Sequence, residues 1–522
     1  MSAFGQTTPP AQPPAEPAPQ AAGVPNVAEP PEPASPVDNG TALTLEDAVK
    51  MALANNLQIQ EARLSPELAE YTLEQTRALY TPQLVSSYSQ SSAAAPPTDF
   101  LSSGVSVVTN ANLSTTAGLQ QLVPFGGGQY SLKWSGSRAT SDASRVVFSP
   151  QLGSTMVANY SQPLLQNFKI DYNREQVILA RNNASIQDLA LRQRITQTSY
   201  AVRAAYYNLI GAIEGWKVSE QSLQIAQLSL SQNQQRLAVG TIPQIDLVSS
   251  KAEVASNEEA VVIQEGAIAS AEDQLRALVM NSSQPGFWTV TYKPVDPEQV
   301  VQVQIDVDAA VKNALQSRTD LLQFKKQIDN NDATIKFESN QKLPQLSLAG
   351  QYGVTGIGGT EFRYDPTGFS STPTGTSIRS FGDVLNDVLG NNFRTWTVGL
   401  NFSYPIGESP ASAALAQARV NAQQQHTTLT DMETQVTTQV REAARQVQTN
   451  YRRVQVDRQS RELFQEKLDA ENKRFAVGLS TTLDLFQAER DLAAARREEL
   501  TAEILYSQSI AAFQAIQLAP LQ

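Results

Sequence analysis

The chain has 522 residues and a formal net charge of −12, with 41% hydrophobic and 17% charged residues. This acidic balance, without a clustered Lys/Arg face, argues against a nucleic-acid partner, whose phosphates require basic patches. The absence of cysteine excludes disulfides, thiolate metal sites and cysteine nucleophiles. The only histidine, His426, is more typical of a solvated or interface residue than of a metal ligand. We therefore expect no cofactor, no metal and no enzymatic activity.

Residues 1–40 are rich in Pro and Ala, a composition typical of a disordered or polyproline-like tail. This stretch has neither the basic segment nor the apolar core of a signal peptide. We expect an N-terminal truncation or an upstream start to account for that. No run of about eighteen apolar residues follows, so the sequence predicts no transmembrane helix.

From residue 41 onward, one unit is present twice. Paired stretches mark both copies in the same order: "LEDAVKMALANN" (45–56) and "VDAAVKNALQSR" (307–318), "TPQL" (81–84) and "LPQL" (343–346), "RLAVGTIPQIDL" (236–247) and "RFAVGLSTTLDL" (474–485). We expect a first helix–strand–helix repeat over residues 41–281, a linker over 282–304 and a second repeat over 305–522. Phe287 and Trp288 are expected to be packing anchors of the linker.

The strand regions contain short alternating stretches. Successive positions of "TVGLNFSYP" (397–405) form two sets, apolar Val398, Leu400, Phe402 and Tyr404 and small or polar Thr397, Gly399, Asn401 and Ser403. Such alternation over about 9–11 residues fits a transmembrane barrel strand, and it fits a soluble sheet with one wet face equally well. The two regions predict about four main strands per chain.

The first strand region is the longer of the two. Pro82 and Pro163 are 81 residues apart, whereas Pro344 and Pro405 are 61 residues apart. The additional residues centre on "LVPFGGGQYSLKW" (122–134), which predicts an extra hairpin around a Gly-rich turn.

Each repeat then continues as one long helical pattern. Gly240 follows Pro163 by 77 residues, and Gly478 follows Pro405 by 73. These distances predict helices of roughly 70 residues, about 105 Å long. The helix of the first repeat is expected to be longer than that of the second by four residues. A seven-residue apolar spacing predicts a coiled-coil seam at Trp216, Leu223, Leu230 and Leu237. Helices of this length with a narrow apolar seam suit a hollow or slender assembly rather than a compact core. About four strands cannot close a barrel in lipid, so several chains must contribute, and three chains would give about twelve strands.

The duplicated order, the "TPQL" and "LPQL" junctions and the paired "AVG" stretches resemble the TolC family of outer-membrane efflux proteins. The resemblance extends from about residue 43 to about residue 518. It implies an α+β membrane protein that forms a homotrimer in the lipid of the outer membrane of a Gram-negative bacterium. In this trimer a long α-helical coiled-coil tunnel in the periplasm continues a twelve-stranded β-barrel. It also implies a passive channel of an efflux or secretion system, with a periplasmic adaptor and an inner-membrane pump as partners.

The resemblance also suggests roles for the two "AVG" stretches, which become turns at the periplasmic end of the tunnel. Gly240 and Gly478 allow the backbone of a tight turn. Adaptor docking is implied for both turns, through Arg236, Val239 and Gly240 in the first and Arg474, Val477 and Gly478 in the second. A solvated helix-end Arg is the alternative for Arg236 and Arg474.

Asp246 and Asp484 fall at the start of the next helix, where a carboxylate favours the positive end of the helix dipole. Three chains would also bring three copies of each around one axis, as an acidic constriction. For Asp246 both interpretations stay open. For Asp484 the resemblance favours the constriction.

The resemblance is incomplete at the closed end of the tunnel. Ser480 and Phe475 stand where well-known members have an Arg and a Tyr, and Gln487 replaces a second carboxylate. We therefore expect the aperture to close mainly by packing of Leu237 and Phe475, and to be looser or differently gated.

A secreted or surface trimeric coiled-coil stalk is the main alternative function. It predicts an uninterrupted helical repeat, whereas this chain inserts alternating strands at the same place twice. An enzyme would have to rely on carboxylates, and no paired Asp/Glu constellation stands out.

Overall fold

The computed structural model describes residues 40–96, 106–296, 300–365 and 372–517. The tail predicted for residues 1–40 lies, except for Gly40, outside the described residues. The first part of the chain contains β1 (Thr41–Leu43), α1 (Leu45–Asn55), α2 (Leu57–Arg77), β2 (Gln83–Ala95), β3 (Val108–Leu122), β4 (Gln129–Ser141), β5 (Phe148–Pro163), α3 (Tyr172–Ala238) and α4 (Gln244–Val279). The second contains β6 (Tyr292–Pro294), α5 (Val307–Ser317), α6 (Thr319–Gln341), β7 (Gln345–Arg363), β8 (Gly375–Arg379), α7 (Phe381–Leu389), β9 (Arg394–Ser403), α8 (Pro410–Ala476) and α9 (Thr482–Gln517).

The long helices have equal lengths in the two repeats. α3 and α8 have 67 residues each, and α4 and α9 have 36 each. The predicted length of roughly 70 residues is confirmed, but the predicted four-residue difference is wrong. The four additional residues lie before α3, because the segment 164–171 has eight residues and its counterpart 406–409 before α8 has four. α3 begins where the Asp171 carboxylate accepts a hydrogen bond from the Arg174 amide at 2.9 Å.

The strands form one large antiparallel sheet. β2, β3, β4 and β5 pair in chain order, and β5 pairs with β7. The far edge of β7 is shared, because β9 pairs with Gln345–Val354 and β8 with Gly359–Arg363. The described sheet therefore has six strand positions.

The predicted number of about four main strands is wrong. The extra hairpin expected around residues 122–134 is present, but its arms, β3 and β4, are 15 and 13 residues long and lie within the sheet between β2 and β5. They are as long as their neighbours and pair along their length. The expectation of twelve strands for three chains assumed four strands per chain, and it no longer holds with six strand positions per chain.

The two faces of this sheet differ in chemistry. The registers put one set of large side chains on what we call the apolar face: Leu84, Tyr88, Leu119, Leu132, Trp134, Met156, Tyr352, Trp396, Val398, Leu400 and Phe402. Most of these are well exposed, Leu84 by 82% and Trp396 by 72%. The opposite, polar face carries Ser, Thr, Asn and Gln and surrounds a concave space of about 710 Å³. The alternation predicted for residues 397–405 is confirmed over 397–403, where β9 ends.

A short helix covers the end of the apolar face that lies farthest from the long helices. α7 begins with a capping box between Ser380 and Asp383 and buries Val384 and Val388 against β7 and β5. No described helix combines the length and the apolar character needed to cross a bilayer.

The helices of the two repeats form two separate hydrophobic cores. One core surrounds Tyr206 and Leu275, the other Tyr506 and Val440. The Tyr206 hydroxyl donates to the Leu43 carbonyl at 2.9 Å, and the Tyr506 hydroxyl donates to the Val301 carbonyl at 2.6 Å. Both tyrosines thus hold segments that flank or form the linker.

Only one of the two aromatic residues predicted to anchor the linker is buried. Phe287 is buried, as predicted for a packing anchor, and its ring meets that of Trp288 edge-on at 4.7 Å. Trp288 is 73% exposed, so its predicted role as an anchor is wrong within one chain.

Candidate functional site at the two interhelical turns

The two matching stretches of the repeats form the same turn. In the first turn (residues 236–247), the Gly240 amide donates to the Leu237 carbonyl and the Thr241 amide to the Arg236 carbonyl, both at 2.9 Å. In the second turn (residues 474–485), Gly478 and Leu479 donate in the same way to Phe475 and Arg474. These paired bonds define a Schellman motif at the end of α3 and of α8. Its left-handed position is Gly240 (φ 74°) or Gly478 (φ 76°), as predicted.

Asp484 is engaged as a helix cap. Its carboxylate accepts from the Thr481 amide at 3.3 Å and from the Thr481 hydroxyl at 2.7 Å, and the Asp484 amide donates to that hydroxyl at 3.2 Å. These bonds lower the pKa of Asp484, with the hydroxyl contact the largest cause. The capping interpretation therefore has direct support, and the constriction stays a prediction.

Asp246 has a different neighbour. Pro243 occupies the position equivalent to Thr481, and it offers neither a side-chain oxygen nor an amide hydrogen. The first turn therefore lacks the reciprocal bonds that hold the Asp484 carboxylate. Asp246 remains half-buried in the first turn of α4.

Phe475 links the two turns within one chain. Its ring packs beside a small apolar cluster containing Leu468, Leu485 and Leu492. The Arg236 guanidinium lies 4.5 Å from the centroid of that ring. A cation over an aromatic face contributes about 0.5–1 kcal/mol at an exposed site. Arg236 is therefore a contact between the turns rather than a simple solvated helix end.

The outermost residues of both turns are apolar and exposed. Val239 is 75% exposed and Val477 is 70% exposed. Ile245, Leu479 and Leu483 add to this surface. Arg474, in contrast, is turned back on its own helix end, donating to the Glu471 carboxylate at 3.0 Å and to the Leu479 carbonyl at 3.3 Å.

Sequence reasoning missed two polar residues beneath the turns. Glu471 is buried and accepts from Arg474 and from the Ser480 hydroxyl, so Ser480 stabilises the turn internally. Asn233, one repeat earlier, is buried and donates to the Ser250 hydroxyl at 2.9 Å. The sequence signal is limited to the 238-residue offset, which aligns Asn233 with Glu471, three residues before each Arg, and does not show that either residue is buried.

Farther from the turns, polar contacts join the two helical hairpins. Arg490 on α9 donates to Glu253 on α4 at 2.9 Å, and Arg496 donates to Gln221 on α3 at 2.6 Å. Glu489 lies beside the same contact in a small cavity between the hairpins. Burial raises the pKa of Glu489 to about 7, and the Glu253 carboxylate adds to the rise. Among the described residues, no cluster of acidic or histidine side chains is arranged to hold a metal ion.

Comparison with known proteins identifies the family. The model for outer membrane efflux proteins matches residues 129–279 and 310–516. The chain belongs to the outer membrane efflux protein family. This confirms the resemblance and the outer-membrane localisation expected from the sequence.

Individual members of the outer membrane efflux family are distant in sequence. The chain is 24% identical to outer membrane protein TolC of Escherichia coli (strain K12) over 336 residues, which are 63% of this chain and 62% of TolC. The match thus spans less than two thirds of that relative. The fold is similar to CusC (TM-score 0.65, 16% identity, 90% of this chain and 91% of CusC) and to the CmeC outer membrane channel of Campylobacter jejuni (0.64, 14%, 91% and 85%).

Proposed function

We propose that the protein is the outer-membrane channel of a tripartite efflux or secretion system. One observation carries this proposal: a curved sheet with a polar concave face and an exposed apolar face lies at one end of two long helical hairpins, and its two edges have no partner strand among the described residues. Lipid accepts the apolar face, but it tolerates no open sheet edge, so further copies of the chain must complete the wall. A homotrimer, as in the TolC family, is the proposed assembly.

The two turns are the proposed contact with a periplasmic adaptor. Their exposed apolar residues, Val239 and Val477 among them, are the surface that such a partner would cover. An inner-membrane pump would supply the transport energy, since the channel conducts passively. The proposed aperture residues are Asp246 and Asp484, with Leu237 and Phe475 as its apolar part.

Conductance in planar lipid bilayers tests the proposal. Wild-type protein should give discrete, cation-preferring steps, and Asp246→Ala or Asp484→Ala should reduce that preference. Glu442→Ala is the matched control, because this exposed carboxylate lies on α8 about 50 Å from the turn and leaves the aperture intact.

Two outcomes would contradict parts of the proposal. Failure of folded, trimeric protein to insert would overturn the channel and favour a trimeric surface stalk. Equal loss of selectivity in all three variants would mean that Asp246 and Asp484 do not line the aperture.

The closed channel should conduct more than one closed by an ionic contact. The reason is that position 480 has Ser instead of Arg, and Ser480 is hydrogen bonded to Glu471 of its own turn.

A further inference from the structure

Each of the six strand positions is long enough to cross a membrane. β2, β3, β4, β5 and β7 have 13 to 19 residues, and β9 has 10. A tilted transmembrane strand requires about 9–11 residues. None of the six is therefore too short to be part of a barrel wall.

The β3–β4 hairpin is a full part of this wall. The β2–β3 register runs without interruption from Gln83 opposite Gln120 to Ala95 opposite Val108. β4 continues the same regular pairing with β5. Side chains confirm the closeness, since the Ser89 and Ser114 hydroxyls are hydrogen bonded at 2.8 Å and Asn159 donates to Ser131 at 3.3 Å.

The direction of the strands allows copies of the chain to join edge to edge. Six alternating positions leave β2 at one edge and β9 at the other, running in opposite directions. The β2 edge of one copy can therefore pair antiparallel with the β9 edge of the next. β9 has 10 residues and β2 has 13, so this pairing would satisfy the edge backbone groups along the length of β9, as the hydrocarbon layer requires.

We infer that three copies close an eighteen-stranded barrel, with the β3–β4 hairpin widening the outer-membrane pore. The inference rests on the proposed trimeric channel. At a strand spacing of about 4.8 Å and a tilt of about 40°, eighteen strands form a backbone cylinder about 36 Å across, whereas twelve form one about 24 Å across.

The inner surface of this barrel favours a particular class of solute. The polar face presents hydroxyl and amide groups, with Ser131, Asn159 and Gln351 among the residues around the concave space. Lys133 is the one charged residue among the described side chains that line it. Such a wall admits bulky hydrophilic solutes irrespective of their charge, and it leaves selection to the turns at the other end.

Cryo-electron microscopy of the full chain in lipid nanodiscs tests the inference directly. Trimers with eighteen strands in the wall would support it. Trimers with twelve wall strands and a displaced β3–β4 hairpin would overturn it while leaving the proposed function intact. Folded protein without a trimeric barrel would overturn the inference and the proposed function together.

A deletion provides the matched comparison. Removing residues 108–141 takes out β3 and β4 as a pair and preserves the alternating direction of the remaining strands. The variant should form a twelve-stranded barrel with about two thirds of the wild-type diameter. An unchanged diameter would contradict the inference.

Engineered disulfides decide the matter if the deletion variant does not fold. The chain has no cysteine, so only the introduced pairs can react. Ser89→Cys with Ser114→Cys, and Ser131→Cys with Asn159→Cys, should form intrachain disulfides in membranes. Val85→Cys with Val157→Cys joins β2 to β5 at one level of the sheet, because Val85 lies opposite Gly118 and Val157 lies opposite Lys133 of the intervening hairpin. These two positions become neighbours only if the hairpin leaves the wall. Efficient oxidation of this last pair, and not of the first two, would overturn the inference.

Discussion

The glycines of the two turns are required by backbone conformation and not by lack of space. A Cβ atom added to Gly240 or Gly478 would meet nothing within 4 Å, yet both residues have φ near +75°. An L-residue in this left-handed region costs about 1–2 kcal/mol. We therefore expect Gly240→Ala and Gly478→Ala each to lower the free energy of local unfolding by about that amount, measured by hydrogen exchange of the turn amides.

Gly266 is the matched control for these substitutions. It lies exposed within α4, has an ordinary helical φ and also has open space around its Cα. Gly266→Ala should stabilise the helix by about 0.5–1 kcal/mol. Equal effects at Gly266 and Gly478 would contradict the conformational explanation.

Glu489 should make stability depend on pH. Its pKa of about 7 in the folded protein exceeds the ordinary value of 4.5, so the folded state binds this proton more tightly than the unfolded state. This contribution to stability is present below about pH 4.5 and is lost as the pH rises through about 7. The groups facing Glu489 are Glu253 from α4 and Arg490, Arg496 and Arg497 on α9.

The measurement is the melting temperature of the helical region between pH 5 and pH 8. Glu489→Gln should flatten the decrease across this range, because glutamine stays neutral. Glu442→Gln, at an exposed position on α8, should leave the decrease intact. A Glu489→Gln profile that follows the wild type would assign the pH dependence to other groups.

Site residues could be predicted from the sequence where the backbone conformation allows only one type of residue. Gly240 and Gly478 were identified because few residues other than glycine fit a left-handed helix end. Glu471 was not, because a glutamate in a polar helix looks solvent-exposed until the second hairpin buries it. At Asp484 the sequence favoured the constriction over the cap, because only the structure shows that Thr481 completes the cap.

At the scale of elements, α8 and α9 are held together by ion pairs. Arg453–Glu498, Arg461–Glu499 and Lys467–Asp491 each join the two helices at 2.7 Å. Near the first turn, α3 and α4 are joined by the uncharged Asn233–Ser250 hydrogen bond. The two hairpins should therefore respond differently to ionic strength.

Exposed ion pairs contribute about 0.2–1 kcal/mol each and weaken as salt screens them. Raising NaCl from about 0.05 M to about 1 M should increase amide exchange in α8 and α9 roughly two- to tenfold. Exchange near Asn233 and Ser250 should change less, and exchange mass spectrometry would resolve the two hairpins. A uniform response would mean that these ion pairs do not stabilise the second hairpin.

The same scale explains why the strand number was underestimated. β9 was recognised from its large apolar residues, such as Trp396 and Phe402. On β3 the equivalent apolar-face positions include Ala111, Thr115 and Ala117, which are too small to produce a clear alternation. Only their pairing with β2 and β4 identifies them as wall positions, and pairing is not visible in one strand's sequence.

For the whole molecule, duplication has preserved geometry while allowing chemistry to differ. The paired helices keep their lengths of 67 and 36 residues, yet one turn has a capping box and the other has Pro243. In the proposed trimer the six turns would therefore be of two chemical kinds. An adaptor that docks on this ring would meet two different surfaces within each chain.

The proposed wide barrel separates the pore into a permissive exit and a selective entrance. Lys133 lies on the polar face of β4, where three copies would project into the lumen. At physiological ionic strength a charge is screened over about 8 Å, whereas the wall of an eighteen-stranded barrel lies about 18 Å from its axis. Lys133→Ala should therefore leave the reversal potential unchanged in about 0.15 M salt, under conditions in which Asp246→Ala or Asp484→Ala lowers the cation preference. A shift for Lys133→Ala as large as that of the aspartate variants would indicate a narrow barrel in which wall charges reach the axis.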